Sequence, residues 1–329
     1  MAYSPRVTDG SRKAIFAAFF ANLGIAISKF IGFLITGSAS LLAETIHSAA
    51  DTGNQLLLFL GGQRARKSAT PQHPFGYGRE RYFWSFAVAL VLFSMGGMFA
   101  LYEGIQKFRD PHEVENLGVA IGILVFAIAL ESFSLRTAVK EANHVRLPGT
   151  NWWRFIRGTK QPELPVVLLE DVGALVGLVF ALGGVLMART TDDARWDAVG
   201  SISIGLLLIV IAIILVVEMK SLLIGESASA DMRQAIIAAI ESSEYVDSLI
   251  HIRTEHIGPD EILVGAKVEY SSSLSLVRLV AAIDSTEHAI RAAVPAATVI
   301  YLEPDLRRAD HPDLVAADSG ESTDPPPTH

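Results

Sequence analysis

His47 and Asp51 stand four residues apart in an otherwise apolar stretch, with Glu44 one turn earlier and Ser48 between them. An α-helix rises about 1.5 Å per residue, so positions 44, 47, 48 and 51 fall on one face. An ionisable side chain in hydrocarbon costs at least about 2.5 kcal/mol on insertion scales, which makes each of these residues a functional candidate. An imidazole beside carboxylates is a donor set for a divalent cation. Glu170 and Asp171 lie in another apolar run and Glu131 in a third. A lone buried histidine is more often a hydrogen-bonded core residue. Here a carboxylate one turn away and acids in other apolar segments favour the metal.

The elements that must position these groups are membrane spans. Six apolar segments run over 14–36, 40–62, 83–107, 114–139, 164–188 and 196–222, each near the roughly 20 residues a bilayer requires. The 329 residues are 50% hydrophobic and 19% charged with a mean hydropathy of +0.38, whereas soluble domains carry nearer 25% charge. With no cysteine, disulfides and thiolate sites are excluded, leaving nitrogen and oxygen donors suited to borderline and hard divalent metals. The net charge of −8 argues against nucleic acid as a partner. No cleavable signal peptide is expected, since Arg12-Lys13 leads into a full-length span.

Basic residues concentrate before the first span and in the loops after the second (Arg64, Arg66, Lys67, Arg79, Arg81) and the fourth (Arg146, Arg154, Arg157, Lys160). Acids (Asp110, Glu113, Glu115, Asp192, Asp193) mark the loops after the third and fifth. The positive-inside rule places both termini in the cytoplasm. The segment Trp152-Trp153-Arg154-Phe155-Ile156-Arg157 reads either as lying on the cytoplasmic leaflet or as packing beneath the bundle. The predicted organisation is a cytoplasmic N-terminus (1–13), a transmembrane domain (14–226), a soluble domain (227–305) and a polar, disordered tail (306–329). In the soluble part, 231–241 and 276–293 carry helical periodicity. The alternation over 249–255, 262–270 and 298–302 predicts strands, giving an α-β-β-α-β order with two helices on a three-stranded sheet.

Ala21-Asn22-Leu23 through Lys29, Thr36-Gly37-Ser38, Leu42-Ala43-Glu44, His47-Ser48-x-x-Asp51 and the loop His73-Pro74-Phe75-Gly76-Tyr77-Gly78-Arg79 resemble the cation diffusion facilitators. His47 through Gln55 and Val167-Leu168-Leu169-Glu170-Asp171 resemble its zinc transporter nine branch. The resemblance implies a six-helix membrane protein with a C-terminal cytoplasmic α+β ferredoxin-like domain, assembled as a homodimer. It also implies an ion held between the second and fifth spans. His47, Asp51 and Asp171 match three ligands, while Val167 stands where a histidine is expected. Zinc prefers four ligands, and Glu170, Glu131 or water are the candidates for the fourth. Glu44, Asn54 and Glu131 line the route or orient the ligands.

Two auxiliary sites of the family are degraded. In the loop His73 is retained but Tyr77 replaces a second histidine. In the terminal domain Ile250, Lys267 and Tyr301 stand at ligand positions, leaving Glu303.

The implied activity is secondary transport, exporting divalent cations by proton antiport. Imidazole titrates near neutrality, and metal binding requires it neutral and the carboxylates ionised. No phosphate-binding loop points to direct ATP use. Zinc is the leading cargo. An oxygen-rich site raises the standing of manganese and iron(II), with cobalt and cadmium also compatible. The expected location is a bacterial plasma membrane, multi-pass, with metal, protons and lipid as partners and no resident cofactor. Two other classes compete: a metal-binding regulatory membrane protein that moves no ions, and an enzyme using the His–Asp pair as a base. For the enzyme, no nucleophile with an adjacent base is evident.

Overall fold

The computed structural model describes residues 9–111, 116–146 and 149–307, with side chains from Leu23 onward. The side chains of Arg12 and Lys13, the acidic Glu113 and Glu115, and the polar tail beyond Arg307 lie outside the described residues. The chain divides into two units, one built from the described residues up to Arg66 and Glu80–Leu223, the other from Lys67–Arg79 and Ile224 onward.

The first unit is a helical bundle. It contains α1 (Asp9–Thr36), α2 (Ala39–Ala65), α3 (Glu80–Val91), a π-helical turn (Leu92–Met98), α4 (Phe99–Arg109) and α5 (Leu117–Val145). The short α6 (Trp152–Gly158), then α7 (Glu163–Thr191) and α8 (Arg195–Ile224) complete it. Glu80–Arg109, Leu117–Val145, Glu163–Thr191 and Arg195–Ile224 are long and apolar enough to cross a bilayer. At 27 residues α2 is long enough, but Glu44, His47, Asp51 and Asn54 hold its hydropathy below the other spans. The described side chains of α1 provide only the apolar stretch Leu23–Thr36.

Each helix hides the stripe that faces its neighbours. On α8, Ile204, Leu208, Ile211, Leu215 and Met219 are buried, while Leu206, Val210, Ile213 and Val217 are exposed. An apolar exterior is what lipid contact requires. Buried Leu41, Val88, Leu92, Leu124, Val166, Leu178 and Val185 complete the core. In α6, Phe155 and Ile156 are buried and Trp153 points outward, so the segment packs by one face. Arg157 Nε donates to Glu218 at 3.1 Å.

One polar knot ties an end of the bundle together. Gly37 turns the chain between α1 and α2 with φ +63°, a conformation that disfavours a side chain. The fully buried Asp197 of α8 accepts from Ser38 Oγ at 2.7 Å and from the Ala39 amide at 2.8 Å. It thereby satisfies the first amide of α2, otherwise an orphan donor. Lys107 Nζ of α4 lies 3.2 Å from Asp197 Oδ2 and donates to the Gly37 carbonyl at 2.7 Å.

In the second unit, α9 (Ala230–Glu241) precedes β1 (Val246–Gly258) and β2 (Glu261–Tyr270), and α10 (Leu276–Ala293) leads to β3 (Ala297–Pro304). The sheet order is β1-β2-β3, with β1 and β2 antiparallel and β2 and β3 parallel. The parallel pair needs the α10 crossover. Along β2, Ile262, Val264, Ala266, Val268 and Tyr270 are buried in alternation and meet Ile236, Ile240 and Ile290 of the helices. This is the α-β-β-α-β order that the sequence periodicity predicts; β1 extends three residues beyond the predicted strand at each end, β2 one at its start, and β3 one at its start and two at its end. The loop Lys67–Arg79 belongs to this unit. A Cβ at Gly78 would stand 2.8 Å from the Ile257 carbonyl, and Arg79 pairs with Glu255.

Asp197→Ala leaves Lys107 buried without its counter-charge and Ala39 without a cap. Removing one partner of a buried pair costs about 3–5 kcal/mol, so the variant is expected to melt well below wild type when thermal unfolding in detergent is followed.

Candidate functional site

The polar face of α2 turns inward, where α1, α3 and α7 pack around it. Glu44, His47 and Asn54 are fully buried, Ser48 nearly so, and Asp51 is partly buried. His47 Nδ1 approaches Asp51 Oδ1 to 3.4 Å, the separation of two groups one helical turn apart. Several buried atoms of α2 have no hydrogen-bond partner: Glu44 Oε1, both ring nitrogens of His47, Asp51 Oδ1 and Asn54 Oδ1. Buried polar atoms are normally satisfied. Here acceptors and an imidazole stand unmatched along one helix.

Facing it, α7 supplies Glu170 and Asp171. These neighbours project about 100° apart, yet both line one cavity of about 20 Å³, together with Ser48, Asp51, Gln55, Glu131, Val167 and Ile25. That is room for about one water-sized occupant. Both acids reach it because α7 packs against α2 on one side and α5 on the other. Glu170 Oε1 accepts from Asn54 Nδ2 of α2 at 2.6 Å, and Asp171 Oδ2 accepts from Ser134 Oγ of α5 at 3.1 Å. Each carboxylate is held by a different neighbouring helix.

The sequence-predicted residues therefore separate into groups. Asp51, Glu131, Glu170 and Asp171 gather around the cavity. His47 stands beside Asp51 but outside the lining, and an added Cβ on Gly96 of the π-helical turn would lie 3.9 Å from its Nδ1. Glu44 is drawn to Lys29 of α1, whose Nζ lies 3.0 Å from Glu44 Oε2. Asn54 serves as the donor to Glu170. Val167, at the position of the expected histidine, gives the cavity an apolar wall. Among the described residues no three His, Asp or Glu side chains form a group spaced to hold a metal ion, so the carboxylates and His47 stand near one another without converging.

His73 lies in the other unit, exposed, its ring centroid 4.6 Å from that of Tyr77. Glu303 is engaged by Lys267 Nζ at 3.7 Å. His251 Nε2 accepts from Arg253 Nε at 2.9 Å, and His256 Nδ1 lies 3.3 Å from the Gly258 carbonyl.

Gln55, Ser134 and the π-helical turn were not among the predicted site residues. Gln55 follows Asp51 by four residues and Ser134 follows Glu131 by three, so helical spacing from the named acids would have found both. The π turn left only the trace Gly96-Gly97 in an apolar run; such turns often mark functional sites.

Residues 15–224 match the cation efflux transmembrane domain, the stretch that holds every residue around the cavity. The chain is 29% identical over 262 residues to the "Proton-coupled zinc antiporter SLC30A9, mitochondrial" of Mus musculus, covering 79% of this chain and 46% of that protein. It is 27% identical over 265 residues to the "Metal tolerance protein C4" of Arabidopsis thaliana, covering 80% and 58%. It is 27% identical over 293 residues to the "Cation-efflux pump FieF" of Escherichia fergusonii, covering 88% and 91%. The chain thus spans about half the length of the antiporters it matches, and most of the pump. With that domain matched across most of its length, the chain belongs to the cation efflux family and is a multi-span helical membrane protein.

Proposed function

We propose that the chain is a secondary transporter that exports divalent cations, zinc foremost, in exchange for protons, with no catalytic role. The observation that carries this reading is the cavity where Asp51 of α2 meets Glu170 and Asp171 of α7 and Glu131 of α5. Carboxylates at membrane depth are costly, and gathering four around a space for one small occupant is explained by a cation that neutralises them. His47, Asp51 and Asp171 are the proposed ligands, and Glu170 takes the place of the absent histidine. The relatives named as a zinc antiporter and a cation-efflux pump support the same reading. The ligands bind metal only when deprotonated. Loading therefore releases protons, and reprotonation from the far side ejects the metal. Alternating access to a site between packed helices is the way secondary transporters use such a geometry.

The protein acts as a homodimer, with the α+β domain as a dimerisation module. It resides in a bacterial plasma membrane with both termini cytoplasmic, the orientation favoured by the basic loops.

Purified protein in liposomes, assayed with an interior zinc dye, tests this directly. Zinc flux is expected to follow an imposed proton gradient and to reverse with it; flux indifferent to both collapse and reversal of that gradient would sink antiport. His47→Ala, Asp51→Ala and Asp171→Ala are each expected to reduce flux to the level of protein-free vesicles while eluting as wild type on size exclusion. Retained full flux in Asp171→Ala would remove α7 from the ligand set.

Glu170→Gln is expected to change the order of preference across zinc, manganese, iron(II), cobalt and cadmium, because it takes one anionic oxygen from the cavity. Asn54→Leu strips Glu170 of its donor. It is expected to destabilise the bundle by about 1–3 kcal/mol, the cost of an unsatisfied buried group, and Asn54→Leu/Glu170→Leu should recover much of that loss in thermal melts.

A further inference from the structure

Lys29 is nearly fully buried at the edge of the cavity. Its ammonium donates to Glu44 Oε2 at 3.0 Å and to Ser48 Oγ at 2.7 Å, and lies 4.0 Å from Glu131 Oε1. Ser48 and Glu131 are themselves cavity-lining residues, as is Ile25, one turn before Lys29 on the same face of α1. The lysine therefore reaches the wall of the cargo site through two of its lining groups. It also holds Glu44 by one oxygen while the other, Oε1, faces Gly177 of α7, where an added Cβ would come within 2.6 Å, and has no hydrogen-bond partner. Glu44 lies one turn from His47 and does not line the cavity; its carboxylate is engaged by Lys29 instead.

From this geometry we propose that Lys29 is a tethered resident cation that keeps Glu44 out of the coordination of the transported ion, and so sets how loosely the ion is held. This rests on the transport reading above. Two consequences follow from charge alone. A fixed positive charge a few ångströms from a doubly charged ion opposes its binding. A fifth carboxylate, if released, would strengthen it. A transport site must bind well enough to load and weakly enough to unload. The lysine serves the second requirement, and Glu44 prevents its charge from blocking the first. Lys29 is on this view a positioning residue for cargo affinity rather than a ligand.

The test uses the full chain, with zinc affinity measured by calorimetry in detergent and zinc flux in liposomes. Lys29→Met keeps the stem and removes the charge. It is expected to bind zinc about tenfold or more tightly, with half-saturation of flux at lower zinc and a reduced maximal rate. Glu44→Gln leaves the lysine charge uncompensated and is expected to weaken zinc binding about as much in the opposite direction. Lys29→Met/Glu44→Gln removes both charges, avoids an unpaired buried ion, and is expected to return affinity to within about threefold of wild type. A merely structural ion pair would lower the melting temperature in both single variants and leave zinc affinity unmoved, or move it in one direction only. Either pattern overturns the proposal. Should Lys29→Met fail to fold, the opposed shifts of Glu44→Gln and the double variant decide it: affinity in the double no tighter than in Glu44→Gln overturns it. Wild-type protein that neither binds nor moves zinc would overturn the transport reading instead, a result distinct from any of these.

Discussion

Charge cannot be left unmatched in a helix bundle that faces hydrocarbon, and the first unit is arranged around that constraint. The polar face of α2 carries more ionisable and amide groups than its own neighbours along the chain can satisfy. Its partners come from elsewhere: Lys29 from α1 meets Glu44 and Ser48, and Glu170 from α7 receives the Asn54 amide. Buried pairs contribute little net stability, because desolvation offsets most of the attraction. Their effect is on arrangement, since a packing that separated these partners would strand a charge. The same pairs leave Glu44 Oε1, Asp51 Oδ1 and the imidazole of His47 without hydrogen-bond partners.

Close approach around that face depends on small residues. Gly177 makes room for the Glu44 carboxylate, Gly173 faces Leu208 and Ile211 of α8, and Gly96 lies against Leu208 near His47. Small residues let helices pack tightly where no water competes. A π turn at Leu92–Met98 widens the backbone spiral beside the imidazole. Space for an occupant and tightness elsewhere are thus provided by the same helices.

Hydropathy and helical spacing were enough to read most of the bundle and the set of acids. Asp51, Glu131 and Asp171 are ionisable groups in apolar runs, and that is a one-dimensional signal. The α-β-β-α-β order of the second unit was equally legible, because alternation along β2 maps directly onto its buried face. The arrangement of the site was not. Whether Glu170 and Asp171 could share a cavity depended on α7 being wedged between α2 and α5, a fact of three-dimensional packing. The separation of His47 from the cavity lining and the commitment of Glu44 to Lys29 have the same origin. Lys29 is a basic residue in an apolar run, which can snorkel or pair with an acid, but several acids are within reach and spacing alone does not choose among them. The converse holds for α2, which falls short on hydropathy because of its buried polar face.

The buried Asp197, bonded to the start of α2 and paired with Lys107, has a mechanical side as well. It joins the α1–α2 turn to α4 and α8 through a cluster of buried bonds, which makes this end of the bundle stiff. Conformational exchange that begins by parting the Lys107–Asp197 end would have to break several desolvated bonds at once. Rigidity, rather than chemistry, is what that carboxylate supplies to the bundle.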